Sequence, residues 1–421
     1  MLRLLYNSLI YVAAPIAFGA TLWRGLRDPA YRERRAERFG FGQPIAGAEA
    51  LWVHAVSVGE VQAAAALIRE LLRRYPQRQI VVTTGTPTGA QRVQALFGDR
   101  VQHIYLPYDL PGAVRRFLNR VQPRAAIVME TEVWPNLFRE CARRRIPLVI
   151  ASARLSQKSV RGYRWLASLF KDALANGIEI AAQTRADADR FIGVGANPQH
   201  THVIGSIKFD LEISTELQAA GHAFRQTHFG DRPVWIAGST HAVEEDIVLA
   251  AHLKLRQSHP RALLVLVPRH PNRFSEVKEW LTKKGVHYVA RSSHAAQNES
   301  TSVFLVDTLG ELLMFYASAD IAFVGGSLVP IGGHNLLEPA AVGVAVITGP
   351  QTFNAPDIAR ALIDHEAARE VRTEAELVTT LAQLFDDPNR RQEQIAQARA
   401  FVTSNRGALE RLLALLEPHL Q

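Results

Sequence analysis

Several segments of this chain place ionisable side chains directly after short apolar runs, where a parallel sheet would present them at its carboxyl edge. Ser57-Val58-Gly59-Glu60 follows Leu51 to Val56, and Glu130-Thr131-Glu132-Val133-Trp134-Pro135-Asn136 follows Ala125 to Met129. A carboxylate at such an edge is suited to general-base work, and a helix start at Glu60 would favour its ionised form. From local sequence alone, a plain helix-terminal charge is the stronger reading of Glu60. Two carboxylates, Glu130 and Glu132, beside a Trp-Pro-Asn turn suit substrate recognition. Val267-Pro268-Arg269-His270-Pro271-Asn272-Arg273 supplies two arginines and a histidine, a set that fits a phosphate. Ala237-Gly238-Ser239-Thr240-His241 ends another run with donors.

The segment Gly325-Gly326-Ser327-Leu328-Val329-Pro330-Ile331-Gly332-Gly333-His334-Asn335-Leu336-Leu337-Glu338-Pro339 reads as a glycine turn between a strand, Ile321 to Val324, and a helix. Its glycines let the backbone approach an anion, and its N–H groups and helix start would face that anion. Asn335 and Glu338, three residues apart, would share one side of the first helical turn, with the Glu338 carboxylate accepting from ribose hydroxyls. A helix cap formed by Asn335 is the alternative reading.

The elements that must position these groups alternate. From Leu51 strand-like runs are separated by helical ones (Val61 to Tyr75, then about Gly89 to Leu96). Further runs lie at Ile80 to Thr83, Pro147 to Ile150 and Ile178 to Ala182. A second series begins at Val234 and continues through Ala262 to Val267, Val303 to Val306, Ile321 to Val324 and Ala345 to Ile347. This pattern predicts an α/β protein of two doubly wound, Rossmann-like halves facing a cleft, joined near His202 to Thr215. Neither half opens with Gly-x-Gly-x-x-Gly, and no Walker loop is present, which argues against a nicotinamide dehydrogenase or a P-loop enzyme.

The chain has 421 residues, 48% hydrophobic and 21% charged, enough for two full cores. Its single cysteine, Cys141, excludes a disulfide framework. The formal charge of +8 hides a polarity: residues 1 to 205 carry 28 Lys and Arg against 15 Asp and Glu, net +13, leaving the remainder at −5. The first half should therefore face something anionic. No interleaved aromatic and basic motif points to nucleic acid. Leu4 to Trp23 are uncharged and mostly apolar, and Arg24, Arg27, Arg32, Arg34, Arg35 and Arg38 follow. The length allows a bilayer span with the remainder on the cytoplasmic side, whereas Asn7, Ser8 and Pro15 suit a helix lying in the interface. Lys158, Arg161, Arg164 and Lys171 recur at helical spacing beside Trp165, Leu166 and Phe170, a basic amphipathic pattern that fits lipid headgroups or a solvated face. The fifteen histidines include no metal-ligand spacing, and His200 and His202 read as a surface strand, so no metal and no cofactor is expected.

Taken together, the chain closely resembles the Kdo transferases of lipopolysaccharide synthesis, almost end to end. The carriers are His54-Ala55-Val56-Ser57-Val58-Gly59-Glu60, Thr86-Pro87-Thr88-Gly89, Tyr105-Leu106-Pro107-Tyr108-Asp109, Glu130 to Asn136, Ala153-Arg154-Leu155-Ser156, Lys208-Phe209-Asp210, Pro268 to Arg273 and Gly325 to Glu338. The resemblance implies the GT-B glycosyltransferase fold. It divides the chain into a membrane-anchor helix (1–24), an acceptor-binding domain (25–205), a linker (206–215), a CMP-Kdo-binding domain (216–400) and a helix returning to the first domain (401–421). It implies inverting transfer of 3-deoxy-D-manno-octulosonic acid from CMP-Kdo to a lipid A precursor, lipid IVA, with two successive additions, at the cytoplasmic face of the bacterial inner membrane. By the same resemblance Glu60 is the general base, and Arg269 with His270 holds the nucleotide phosphate. Ser239, Thr240, His241, Gly326, Ser327, Gly333, Asn335 and Glu338 line the CMP pocket, and Lys208 meets the donor carboxylate. Glu130, Glu132, Arg154, Lys158 and Arg161 serve the acceptor. The chain departs from the common pattern at Ser152, where relatives often have Asn, and at Val243, where they often have Gly. A UDP-sugar transferase or epimerase, and a non-catalytic lipid-binding protein tethered to the membrane, are the rival readings.

Overall fold

Apolar runs of four to seven residues with no polar face can only be satisfied in sheets covered on both sides, and that is what they form. The computed structural model describes residues 2–45, 49–155, 160, 171, 174, 177–211 and 213–420. Among these, two wholly parallel seven-stranded sheets occur. The first holds β1 (Ala50–His54), β2 (Ile80–Thr84), β3 (Gln102–Tyr105), β4 (Pro123–Met129), β5 (Leu148–Ala153), β6 (Glu179–Ala182) and β7 (Thr201–Val203), in the order β3-β2-β1-β4-β5-β6-β7. The second holds β8 (Val234–Thr240), β9 (Leu263–Pro268), β10 (Tyr288–Ala290), β11 (Val303–Leu305), β12 (Ile321–Val324), β13 (Ala345–Thr348) and β14 (Ala368–Glu370), in the order β10-β11-β9-β8-β12-β13-β14.

The chain divides into two compact units, Met1–Asp210 with Asn405–Gln421, and Leu211–Ser404. In the first, strand alternation sends Leu51 and Val53 to one face and Trp52 to the other. Leu51 and Val53 pack with Leu67, Ile68 and Leu71 and with Leu412, Leu416 and Leu420 of the last helix, Ala408–Leu420. Trp52 packs with Phe117, Phe138 and Phe191. In the second unit Trp235 and Ala237 join Val248, Leu255 and Leu381, while Val234 and Ile236 join Phe229, Phe304 and Phe315. The helical run expected from Val61 to Tyr75 is two helices, Val58–Ala63 and Ala65–Arg74, broken at Ala64.

The strand order reverses between β1 and β4 in one sheet and between β8 and β12 in the other. At such a point the loops of neighbouring strands leave in opposite directions and open a crevice at the carboxyl edge. Of the predicted site residues, Glu60, Glu130 and Glu132 follow β1 and β4, Arg154 follows β5 and Lys208 follows β7 in the first unit, and those of the second unit end or follow β8, β9 and β12.

Candidate active site

In the first unit, Ser57 caps the short helix Val58–Ala63, its Oγ accepting from the Glu60 N–H at 3.5 Å. Glu60 turns back along the helix start, and its Oε2 accepts the Val56 N–H at 2.8 Å, a relative of the capping box. That bond fixes the carboxyl at the end of β1. Glu130, directly after β4, has a left-handed backbone (φ 57°) and accepts an ion pair from Lys208 Nζ at 2.7 Å. The same turn is clamped to the end of β5, because Thr131 Oγ1 donates to the Arg154 carbonyl at 2.7 Å. Glu60, Glu130, Glu132 and Lys208 therefore share one electrostatic neighbourhood, with Arg154 at its edge.

Burial pushes the Glu60 carboxyl up to about 8; the charges of Glu130 and Glu132 add to this, while the Val56 N–H and Lys208 oppose it. Burial likewise holds Glu132 above the ordinary carboxylate range. This corrects the expectation that a helix dipole would keep Glu60 readily ionised: the helix is one and a half turns long, and desolvation outweighs its field. A Cβ built on Gly59 would meet nothing nearer than Ser57 Oγ at 3.9 Å, so the face beside Glu60 is open. Lys158 and Arg161, with the rest of the basic amphipathic pattern except Lys171, lie outside the described residues. Lys208, expected to serve the donor, belongs to this first unit and lies beside the candidate base.

In the second unit the glycine turn departs from expectation. The N–H groups of Gly326, Ser327 and Leu328 all donate to the Glu244 carboxylate, at 2.7, 3.0 and 2.9 Å. An internal carboxylate, fully buried, thus fills the anion-binding nest that the glycines create. The next N–H groups, of Gly333 and His334, donate to the carbonyls of Gly326 and Gly325. The helix that follows has only six residues, Leu337–Val342. Asn335 precedes it, with Oδ1 accepting the Leu337 N–H at 3.1 Å and Nδ2 donating to Glu338 Oε1 at 3.2 Å. Asn335 is therefore a local cap as well as a pocket candidate, and it presents Glu338 rather than standing beside it on a shared helical turn.

Two expected hydroxyl donors are also committed internally. Ser327 Oγ donates to the Val324 carbonyl and accepts from Gly349, and Thr240 Oγ1 donates to Glu245. Arg273, one of the two arginines suited to a phosphate, instead makes a bidentate pair with Glu245 at 2.9 and 2.8 Å. What remains at the switch point is imidazole and one guanidinium. His241 Nε2 and His334 Nε2 lie 2.8 Å apart with parallel rings, and His270 meets His241 edge-on with ring centroids 5.3 Å apart. Arg269 is exposed at the end of β9, its N–H donating to the Thr240 carbonyl. Ser239 holds a left-handed backbone (φ 59°) that turns the chain toward His241.

Burial is the first cause that lowers His241 to about 4 and His334 to about 3, with the positive charge of Arg269 and the neighbouring imidazoles adding to it. Burial thus keeps the His241 and His334 rings neutral at neutral pH. Among the described residues no three His, Cys, Asp or Glu side chains form a group able to hold a metal.

Sequence reasoning missed Glu244, Glu245 and His334 as site residues. Glu244 and Glu245 open the helix Glu244–Ser258, a position where acidic residues are common whether or not they reach a site. His334 was visible between Gly333 and Asn335, but its pairing with His241 spans 93 positions and leaves no local trace.

Comparison with known proteins agrees with this architecture. Residues 33–211 match the profile of the family described as 3-deoxy-D-manno-octulosonic-acid transferase (kdotransferase). The 3-deoxy-D-manno-octulosonic acid transferase of Haemophilus influenzae is 42% identical, over 100% of this chain and 99% of that protein. The Bordetella pertussis transferase of the same name is 38% identical, over 95% of each chain. HepE from Anabaena, solved in complex with UDP and glucose, shares the fold at 16% identity, with a TM-score of 0.53 over 88% of this chain and 99% of that one. Two parallel seven-stranded sheets with switch-point sites are the GT-B glycosyltransferase architecture, and the full-length identity to two transferases makes this chain a member of the 3-deoxy-D-manno-octulosonic acid (Kdo) transferase family.

Proposed function

We propose that this protein moves Kdo from CMP-Kdo to the lipid A precursor lipid IVA, twice in succession, with inversion, at the cytoplasmic face of the bacterial inner membrane. The observation that carries the mechanism is the placing of Glu60: a half-buried carboxyl pinned at the β1/β4 switch point, with a proton affinity tuned near neutral pH. A base poised there can both lose its proton in the resting enzyme and accept one in the transition state.

Glu60 takes the proton of an acceptor hydroxyl as that oxygen bonds to the anomeric carbon. The bond from that carbon to the phosphate oxygen breaks, and its electron pair leaves with CMP. Lys208 meets the sugar carboxylate, while Glu130, Glu132 and Arg154, together with Lys158 and Arg161, orient the acceptor. Arg269 and the imidazoles of His241, His270 and His334 receive the phosphate, replacing the backbone nest that Glu244 occupies. Ser239, Gly326 and Gly333 shape the pocket, and Glu338, presented by Asn335, takes the ribose. The leaving group carries one phosphate, so the Arg269 charge with imidazole hydrogen bonds suffices and no metal takes part.

The test is mass spectrometry of CMP release and Kdo attachment, with purified protein, CMP-Kdo and tetra-acylated lipid A precursor. Wild type should give product whose mass counts the sugars, and Glu60→Gln should give none. Equal activity of the two would remove Glu60 from the mechanism. Turnover lost in EDTA and restored by magnesium would overturn metal independence.

A further inference from the structure

The helix Leu2–Arg24 is 23 residues long, about 35 Å, and contains an 18-residue window with a mean hydropathy of 1.4. By length and composition it could cross a bilayer. Its contacts say otherwise. Near its start, Tyr6 Oη donates to Asp109 Oδ2 at 2.8 Å, and Asn7 Oδ1 accepts from Asn136 Nδ2 at 2.9 Å. In the middle, Ala14 is buried with Leu110 and Ala113. Toward its end, Phe18 meets Phe39 edge-on with centroids 5.3 Å apart, and Thr21 Oγ1 approaches Tyr108 Oη at 3.5 Å. The helix is thus docked along nearly its whole length on the folded unit that carries Glu60.

Among the described residues, the opposite side has no such partners. Leu5, Leu9, Val12, Ile16 and Trp23 are 59% to 68% exposed. At about 100° per residue they fall within one narrow stripe. No charge interrupts positions 4 to 23. Exposed arginines flank both ends: Arg3 at one, and Arg24, Arg27, Arg32 and Arg35 at the other. Arg27 lies over the Trp23 ring at 5.0 Å, an arrangement suited to the headgroup level. Crossing the bilayer would pull Tyr6 and Asn7 away from buried partners, or drag the Asp109 and Asn136 turns into hydrocarbon, where their polar backbone has no water.

We infer that this helix is a monotopic anchor: it lies parallel to a bilayer containing anionic phospholipid, inserted by the Leu5 to Trp23 stripe and held by the flanking arginines, and does not cross. The inference rests on the membrane location proposed above. It gives the stripe one occupant, the acyl and headgroup boundary, through charge complementarity at both helix ends. It also holds the Glu60 unit against the leaflet where a lipid acceptor resides.

The experiment uses the full chain carrying Arg3→Cys, made in bacterial cells and analysed in inside-out and right-side-out inner-membrane vesicles with a membrane-impermeant maleimide. The native Cys141 is buried and its thiol is pushed up to about 12, so it stays silent. Labelling in inside-out vesicles alone supports the in-plane anchor; labelling in right-side-out vesicles alone shows a span and overturns it, while leaving the membrane location intact. Protein that pellets with neither membrane overturns the location itself. As a second measurement, Val12→Glu with Ile16→Glu, both exposed, should weaken binding to phosphatidylglycerol vesicles by more than about tenfold with an unchanged unfolding midpoint. Arg24→Gln with Arg27→Gln should weaken it about tenfold on those vesicles and not on neutral phosphatidylcholine. Unaltered binding in both pairs overturns the stripe.

Discussion

Glu60, the proposed base, shows how one side chain's environment sets its proton affinity and, through it, stability. Its folded affinity for a proton, near 8, exceeds that of an exposed glutamate. The proposed base must be ionised to act, so kcat/KM should rise with pH to a limb near 8. A pH–rate profile checks this; a flat profile from pH 6 to 9 would contradict it. The folded state holds the proton that the unfolded chain releases above its ordinary carboxyl range. Glu60 therefore costs stability increasingly as pH climbs from about 4.5 to about 8. Glu60→Gln should accordingly melt higher than wild type, with a gap that widens over that window in calorimetry. The histidines respond in the opposite sense. His241 and His334 are neutral when free, with values of about 4 and 3, and a bound phosphate raises both. CMP binding should take up protons below pH 7 and tighten as pH falls toward 5, measured by titration calorimetry in buffers of different ionisation heat. His241→Ala should abolish most of that uptake.

At the scale of elements, the loop from β8 into the helix Glu244–Ser258 is under strain at Val243. Its φ of 70° and ψ of −45° suit glycine, and a β-branched side chain there is disfavoured by about 1 to 2 kcal/mol. The side chain is exposed and loses nothing by removal. Val243→Gly should therefore raise stability by about 0.5 to 1 kcal/mol, after the extra freedom glycine gives the unfolded chain, in urea unfolding followed by tryptophan fluorescence. The departure from the family's common glycine was readable in sequence; its consequence needed the dihedral. Much of the element map was equally readable. β1, β4, β5, β8, β9, β12 and β13 are apolar runs buried on both faces. The edge strands β3, β10 and β14 were not anticipated, since an edge strand of three or four residues needs no continuous apolar run and carries residues such as Gln102, His103 and Arg369.

Across the molecule, the last helix joins the first unit although some 200 residues separate them. Asp210 accepts the N–H groups of Gly407 and Leu409 at 2.6 and 2.7 Å, and Arg411 Nε donates to the Ile204 carbonyl at 2.8 Å. Leu412 and Leu416 are completely buried beside β1 and β4. Leu416→Ala should cost about 2 to 5 kcal/mol and act on the unit that carries Glu60, not on the unit Leu211–Ser404. Hydrogen exchange resolved by segment checks this: faster exchange should appear in β1 and β4, with β8 and β12 unchanged.

What the sequence by itself determined is the fold class, the family, and the strand ends at which chemistry-bearing residues gather. These are local properties: hydrophobic runs set the strands, and ordered motifs survive as contiguous text. The tertiary structure decided which of those residues are available. Glu244 closing the glycine nest, Arg273 bound to Glu245, His334 meeting His241, Lys208 meeting Glu130 and Tyr6 meeting Asp109 are pairings across 28 to 103 positions. A side chain's protonation and role follow from its neighbours in space, and the spacing of residues along a chain records those neighbours only within a helical turn or a strand.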